Sequence, residues 1–189
     1  MRRVKDRQFF PSDSCRRAYT SVEFLITVAL LFIVLELMVN LARHVRAASA
    51  DETTKNLLQR LDEAMALYVR KNGDLPVGIP PLIDEGRTQA AGDEAPLARR
   101  ARVNNEAVVR LLKSARLFPA GRFEDLSVSY YDGSTVRDAW GNPIVFMPHM
   151  DPAVGMAAKG WFFFSAGPDR KYTTKPDNLY SYELPGVGR

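Results

Sequence analysis

The amino-acid sequence predicts an α+β fold: a long N-terminal helix, membrane anchor plus amphipathic stem, packed on a small antiparallel C-terminal sheet. Three observations predict it. No Gly or Pro occurs from Thr20 to Asn72, so nothing there breaks a helix. The last third holds four short runs of β-branched and aromatic residues bounded by turn residues. The links between those runs are too short for crossover helices, which makes the pairing antiparallel.

Residues 1–18 form a polar, basic leader. The 189-residue chain has a formal charge of +4, and these residues alone hold six bases and two acids. The remainder carries twenty of each sign and is neutral. A nucleic-acid footprint is therefore not expected. The single cysteine, Cys15, excludes a disulfide framework. With two histidines, His44 and His149, a His-based metal cage or catalytic triad is not expected.

Residues 19–40 follow as a membrane or assembly helix. Every residue from Phe24 to Leu35 is apolar except Thr27, and only Glu36 interrupts before Val39. Phe24–Val39 covers about 24 Å at about 1.5 Å per residue, and Tyr19–Val22 extends it toward the roughly 30 Å of a bilayer core. Basic residues ahead of the segment and charge balance behind it put the N-terminus in the cytoplasm. A cleaved secretory signal ending at Ala47-Ala48-Ser49-Ala50 stays open as a rival. Against it stand Glu23 and Glu36, because a carboxylate inside a membrane helix costs about 3 kcal/mol and is usually functional.

Residues 41–72 continue as an amphipathic stem. Leu41, Val45, Ala48, Leu57, Leu58, Leu61, Met65 and Tyr68 recur at spacings of three and four. Asn72-Gly73 is a C-cap signal and Pro76 forbids continuation. One helix of about 50 residues is expected, with a bend or break near Arg46–Asp51 left open. Residues 73–126 form a loop-rich variable region. Its Gly and Pro residues make 77–102 a loop, with Arg99-Arg100-Ala101-Arg102 on a solvated edge. Asn104 or Asn105 caps a short helix running to about Ser114. Residues 127–189 hold the sheet, with strands expected at 127–131, 143–147, 161–165 and 179–184. The aromatics Tyr130, Tyr131, Trp140, Phe146, Trp161–Phe164, Tyr180 and Tyr182 are expected to be core.

Four stretches carry a family resemblance. Arg17-Ala18-Tyr19-Thr20-Ser21-Val22-Glu23-Phe24-Leu25 resembles the class III signal of type IV pilins and type II secretion pseudopilins. In that family a basic leader ends in a small residue, an aromatic follows, and Glu is the fifth mature residue. Ala18 stands here for the usual Gly and Tyr19 for the usual Phe. Asp62–Pro76 is similar to the family's helix ending, and Asp138-Ala-Trp-Gly-Asn-Pro143 resembles an element of major pseudopilins.

The resemblance implies a pilin-like fold and a structural role in protein secretion. A prepilin peptidase would cut between Ala18 and Tyr19, and the new N-terminus would be methylated. Glu23 would pair with the α-amine of a neighbouring subunit, which makes a buried carboxylate tolerable. The partners implied are copies of itself, other pseudopilins, and an inner-membrane assembly platform driven by a cytoplasmic ATPase. The location implied is the bacterial inner membrane, with the C-terminal domain in the periplasm, and then the pseudopilus. A minor pseudopilin, a type IV or competence pilin, and a non-polymerising membrane-anchored binding domain stay as alternatives.

Two loops complete the reading. In the first, Asp138 and Asn142 bond local amides, Trp140 lies between them, Gly141 takes positive φ and Pro143 fixes the next step, which is a structural turn. In the second, Ser165, Asp169, Asp177 and Asn178 match a calcium-binding loop of major pseudopilins, although Arg170, Lys171 and Lys175 add positive charge. No phosphate-binding Gly-rich loop, His-x-x-x-His pair or nucleophile elbow occurs, so catalysis is not expected.

Overall fold

The computed structural model describes residues 20–83, 94–118 and 123–184. The leader, and with it Ala18 and Tyr19 at the expected cleavage point, lies outside the described residues. The chain divides into two compact units, Met1–His44 and Val45–Arg189.

One helix, α1, spans Ser21–Asn72 without a break. Its first part is apolar enough to cross a membrane, and from Val22 through Leu41 its side chains are exposed except for the half-buried Val28. Its second part buries one stripe: Leu57, Leu58, Leu61, Ala64 and Met65. The end follows the expected chemistry. Gly73 adopts φ +86 and its N–H bonds Val69 O at 2.8 Å, while the Asn72 side chain bonds Tyr68 O.

A second helix, α2, spans Glu94–Ala115. It begins ten residues before the predicted cap, so 94–102 is helix rather than loop, and Asn104 and Asn105 sit in its middle. The basic run lies on this helix, where Arg102 pairs with Glu106 at 3.0 Å one turn on. Residues 84–93 of the expected loop lie outside the described residues.

The sheet has three short strands, β1 (Val145–Met147), β2 (Phe162–Ser165) and β3 (Leu179–Tyr180), in the order β1-β2-β3 and antiparallel throughout. Two expectations need correction. Ser127–Tyr131 is not a strand, because Tyr130 and Tyr131 both donate their N–H to Ser127 O and coil the segment into turns. Ser181–Glu183 is a 3-10 turn that stops β3 after two residues.

The sheet is buried on both faces, which explains its unbroken apolar runs. Phe146 and Phe163 face Leu58, Leu61 and Met65 of α1 and Val108 and Leu112 of α2. Val145, Met147, Phe162 and Phe164 face a second core with Leu82, Leu97, Ala101, Tyr172 and Tyr180. The two-residue period of the strands deals alternate side chains to two cores. Helix α2 supplies both cores, its N-terminal half one and its C-terminal half the other.

Candidate functional site

Glu23 lies in the first turn of α1, where it completes a capping box. Its Oε2 accepts hydrogen bonds of 3.0 Å from the Thr20 N–H and from the Thr20 hydroxyl. Thr20 Oγ1 accepts in turn from the Glu23 N–H at 3.3 Å. Thr-Ser-Val-Glu is the sequence signature of this device, and it satisfies donors that a helix start leaves open. The carboxylate is thus engaged by its own chain while the surrounding apolar face stays exposed.

The turn at residues 138–143 is built around the buried carboxylate of Asp138. Its Oδ1 accepts from the Trp140 N–H at 2.9 Å and the Asn142 N–H at 2.8 Å. Its Oδ2 accepts from the Asn142 side-chain amide at 2.9 Å and the Ser165 hydroxyl at 2.6 Å. Burial pushes the Asp138 carboxyl above its ordinary range, and the hydrogen bonds from Ser165, Asn142 and Trp140 pull it back. Gly141 takes φ +89. Asn142 also bonds Gly167 O, and Tyr172 bonds Pro143 O. The turn is tied to α1 by the Ala139 N–H, which donates to Thr54 Oγ1 at 3.1 Å.

Ser165 and Asn178 are buried, whereas Asp177 is exposed and Asp169 half-buried. The Ser165 hydroxyl faces Asp138 and accepts from the Gly167 N–H. Asp169 caps its own turn by accepting from the Lys171 N–H. The Asn178 amide donates to Tyr172 O and to the Tyr180 hydroxyl, and its Oδ1 is the buried side-chain oxygen with no partner among the described residues. Calcium wants six to eight oxygens, and among the described residues no three His, Cys, Asp or Glu gather to hold a metal. As folded, the Ser165 hydroxyl is engaged by Asp138 and Asp169 Oδ1 by the Lys171 N–H.

Several structural residues had escaped the sequence reading. The Asn104 side chain acts as a substitute strand residue on the outer edge of β1: Oδ1 accepts from Phe146 N–H and Nδ2 donates to Phe146 O, each at 2.8 Å. Asn105 does the same for Val136 N–H and O and also bonds Ile144 O. Both fall on the apolar face marked by Leu97, Ala101, Val108 and Leu112, and that placement was the signal available. Asp62, on the buried stripe of α1, takes the Lys159 ammonium at 2.5 Å and the Ser181 hydroxyl at 2.8 Å. Lys159 also lies over the Trp161 ring at 3.8 Å. Of the expected aromatic core, Trp140 is half-buried and belongs to neither core cluster.

No family model, curated protein or solved structure matches this chain.

Proposed function

We propose that this chain is a pilin-like structural subunit, similar to the major pseudopilins of type II secretion systems, that polymerises through α1 into a periplasmic filament. The observation that carries the reading is the two-part character of α1. Its first part presents apolar side chains on all sides and its second part buries a single stripe against an α+β unit. A helix that is apolar all round needs lipid or other helices around it. A membrane-stored subunit that packs into a helical filament core provides each in turn.

The sequence around residues 17–25 supports the same reading, with processing at Ala18–Tyr19 by a prepilin peptidase on the cytoplasmic face. Glu23 is the polar group at the start of the apolar segment. In the single chain its capping box with Thr20 satisfies it, and in the filament the amine of a neighbour takes over that part. The reading assigns no catalysis, and no nucleic acid is among its partners. The inner-membrane platform and its ATPase drive assembly.

Mass spectrometry of the mature protein tests the proposal. A chain that begins at Tyr19, with a methylated amine, supports it. A start near Asp51, or an intact Met1, overturns it and favours a secreted or anchored binding domain. Glu23→Ala is expected to block filament formation while membrane insertion persists.

A further inference from the structure

Two carboxylates interrupt the apolar part of α1, and the chain itself answers only one of them. Glu23 is held by its capping box with Thr20. Glu36 is exposed and makes no hydrogen bond or ion pair among the described residues. Its neighbours on the helix surface, three and four residues away, are Phe32, Ile33, Val39 and Asn40, and none is a cation. Arg43 repeats the situation with the opposite sign. It is exposed and unpaired among the described residues, and its neighbours Val39, Asn40, Arg46 and Ala47 include no acid.

The two unpaired charges share one side of the helix. Seven residues make about 700° of turn, so Arg43 lies within about 20° of Glu36 and about 10.5 Å further along. Side chains of one helix meet at spacings of three and four, not seven, so pairing needs a second helix. Glu23 stands about 140° round the helix from Glu36, so a group that answers one does not answer the other. The surface beside Glu36 is apolar and exposed, at Ile33 and Val39 among others.

Six bases among residues 1–18 precede the apolar run in every copy. All copies are therefore oriented alike in a membrane, and their helices run parallel. Parallel copies at one level set Glu36 against Glu36 and Arg43 against Arg43, which repels. A displacement of about two turns instead sets Glu36 of one copy against Arg43 of the next, whose own Glu36 is left for a third. Such a contact is heterologous and does not close, which is how a filament grows. A charge pair between packed helices adds little net stability, and its best-attested use is to fix register.

We infer that Glu36 of one copy pairs with Arg43 of a parallel copy displaced by about two helical turns, and that this pair sets the axial step between subunits. The inference rests on the proposal that copies polymerise through α1.

The test uses the full chain in the cells that encode it, carrying Cys15→Ser. Ile33→Cys and Asn40→Cys, placed together in one chain, lie one turn before Glu36 and Arg43. Oxidation is expected to link these positions between copies into a ladder of dimers, trimers and longer species, while either substitution alone gives monomer. Adding Arg43→Glu is expected to cut the ladder about tenfold or more, because like charges then face each other, and Glu36→Arg on top of it restores the ladder. Membrane fractions confirm that each variant inserts. Glu36→Gln with Arg43→Gln adds no new charge and serves as the second variant. It is expected to lose the preferred step, so that single-cysteine chains link as well.

A ladder that survives Arg43→Glu, an inserted double reversal that fails to restore it, or a neutral double variant that keeps the original pattern overturns the pair. Links in single-cysteine chains that retain Glu36 and Arg43 mean level or antiparallel copies and overturn the displacement. Large assemblies on native gels without the ladder overturn it too, and leave polymerisation standing. Copies that form no assembly at all overturn both this inference and the proposed function.

Discussion

The hydroxyl of Ser165 donates a 2.6 Å hydrogen bond to Oδ2 of Asp138, so two loops that look independent in sequence share one buried centre. Asp138 holds the first loop through Trp140 and Asn142, Ser165 holds the second through the Gly167 N–H, and Asn142 closes the circuit on Gly167 O. A single carboxylate organises both.

Asp138→Ala is expected to destabilise the protein by about 3–5 kcal/mol, because it strands buried donors whose desolvation costs about 1–3 kcal/mol each. Ser165→Ala removes one of them and is expected to cost about 1–2 kcal/mol. Urea unfolding of the two variants measures both. Equal losses would remove Asp138 from the centre of the network.

Two carboxylates give opposite pH signatures. Burial works against ionised Asp132, but hydrogen bonds from Thr135, Ser134 and Arg137 outweigh it and hold this carboxyl well below the ordinary 3.8. Its stabilisation is therefore complete above 3.8 and is lost as pH falls through the folded value, so the deficit of Asp132→Asn shrinks in acid. Asp138 lies above 3.8 through burial. Its folded form binds the proton more tightly than the unfolded chain, so its contribution is greatest in acid and declines as pH rises through the folded value. The deficit of Asp138→Asn is expected to be larger in acid than at neutral pH. Unfolding free energies across that range decide both signs.

Asn104→Ala exposes the outer edge of β1. Phe146 loses both partners and Pro80 O a third hydrogen bond, for an expected cost of about 2–4 kcal/mol. An uncovered strand edge also pairs with other chains. Light scattering of the variant is expected to rise along with the loss of stability, and a monomer that stays soluble would remove the edge-covering role.

The Asp62–Lys159 pair is expected to be asymmetric. The Asp62 side chain is 5% exposed and Lys159 27%, so only the ammonium can turn out to water. Lys159→Met strands a buried carboxylate and is expected to cost about 3 kcal/mol. Asp62→Asn keeps a partner for Ser181 and costs less. Adding Asp62→Asn to Lys159→Met restores part of the loss, and a double variant no better than Lys159→Met would show that charge is not the issue.

Melting in calcium and in chelator is expected to coincide, because Ser165 is engaged by Asp138 and Asp169 by its own turn. A ligand of the folded state raises its stability. A melting point higher in calcium would mean that Asn178 Oδ1 recruits the ion.

Local chemistry was legible in the sequence. The span of α1, its end at Asn72-Gly73 and the antiparallel pairing of β1 with β2 and β2 with β3 follow from patterns within a few residues. The true start of α2 was not legible, because Gly and Pro nearby mask a helix whose face is confirmed only when Leu97 and Ala101 meet the second core. Asn104 and Asn105 read as cap residues for a related reason. Asparagine favours helix starts in isolation, and only the presence of the β1 edge 42 positions away makes the middle of a buried helix a good place for it.

What the sequence determined by itself is thus a helix with two kinds of surface, a net charge of +4 that lies wholly in the first 18 residues, and a small sheet at the other end. Periodicity, composition and turn residues are written locally. The tertiary structure alone decided that the sheet has two cores, that Asp138 joins two loops, and that Trp140 stands outside the core. Those outcomes depend on which distant groups arrive together, and burial and hydrogen bonding gain their value only once they have.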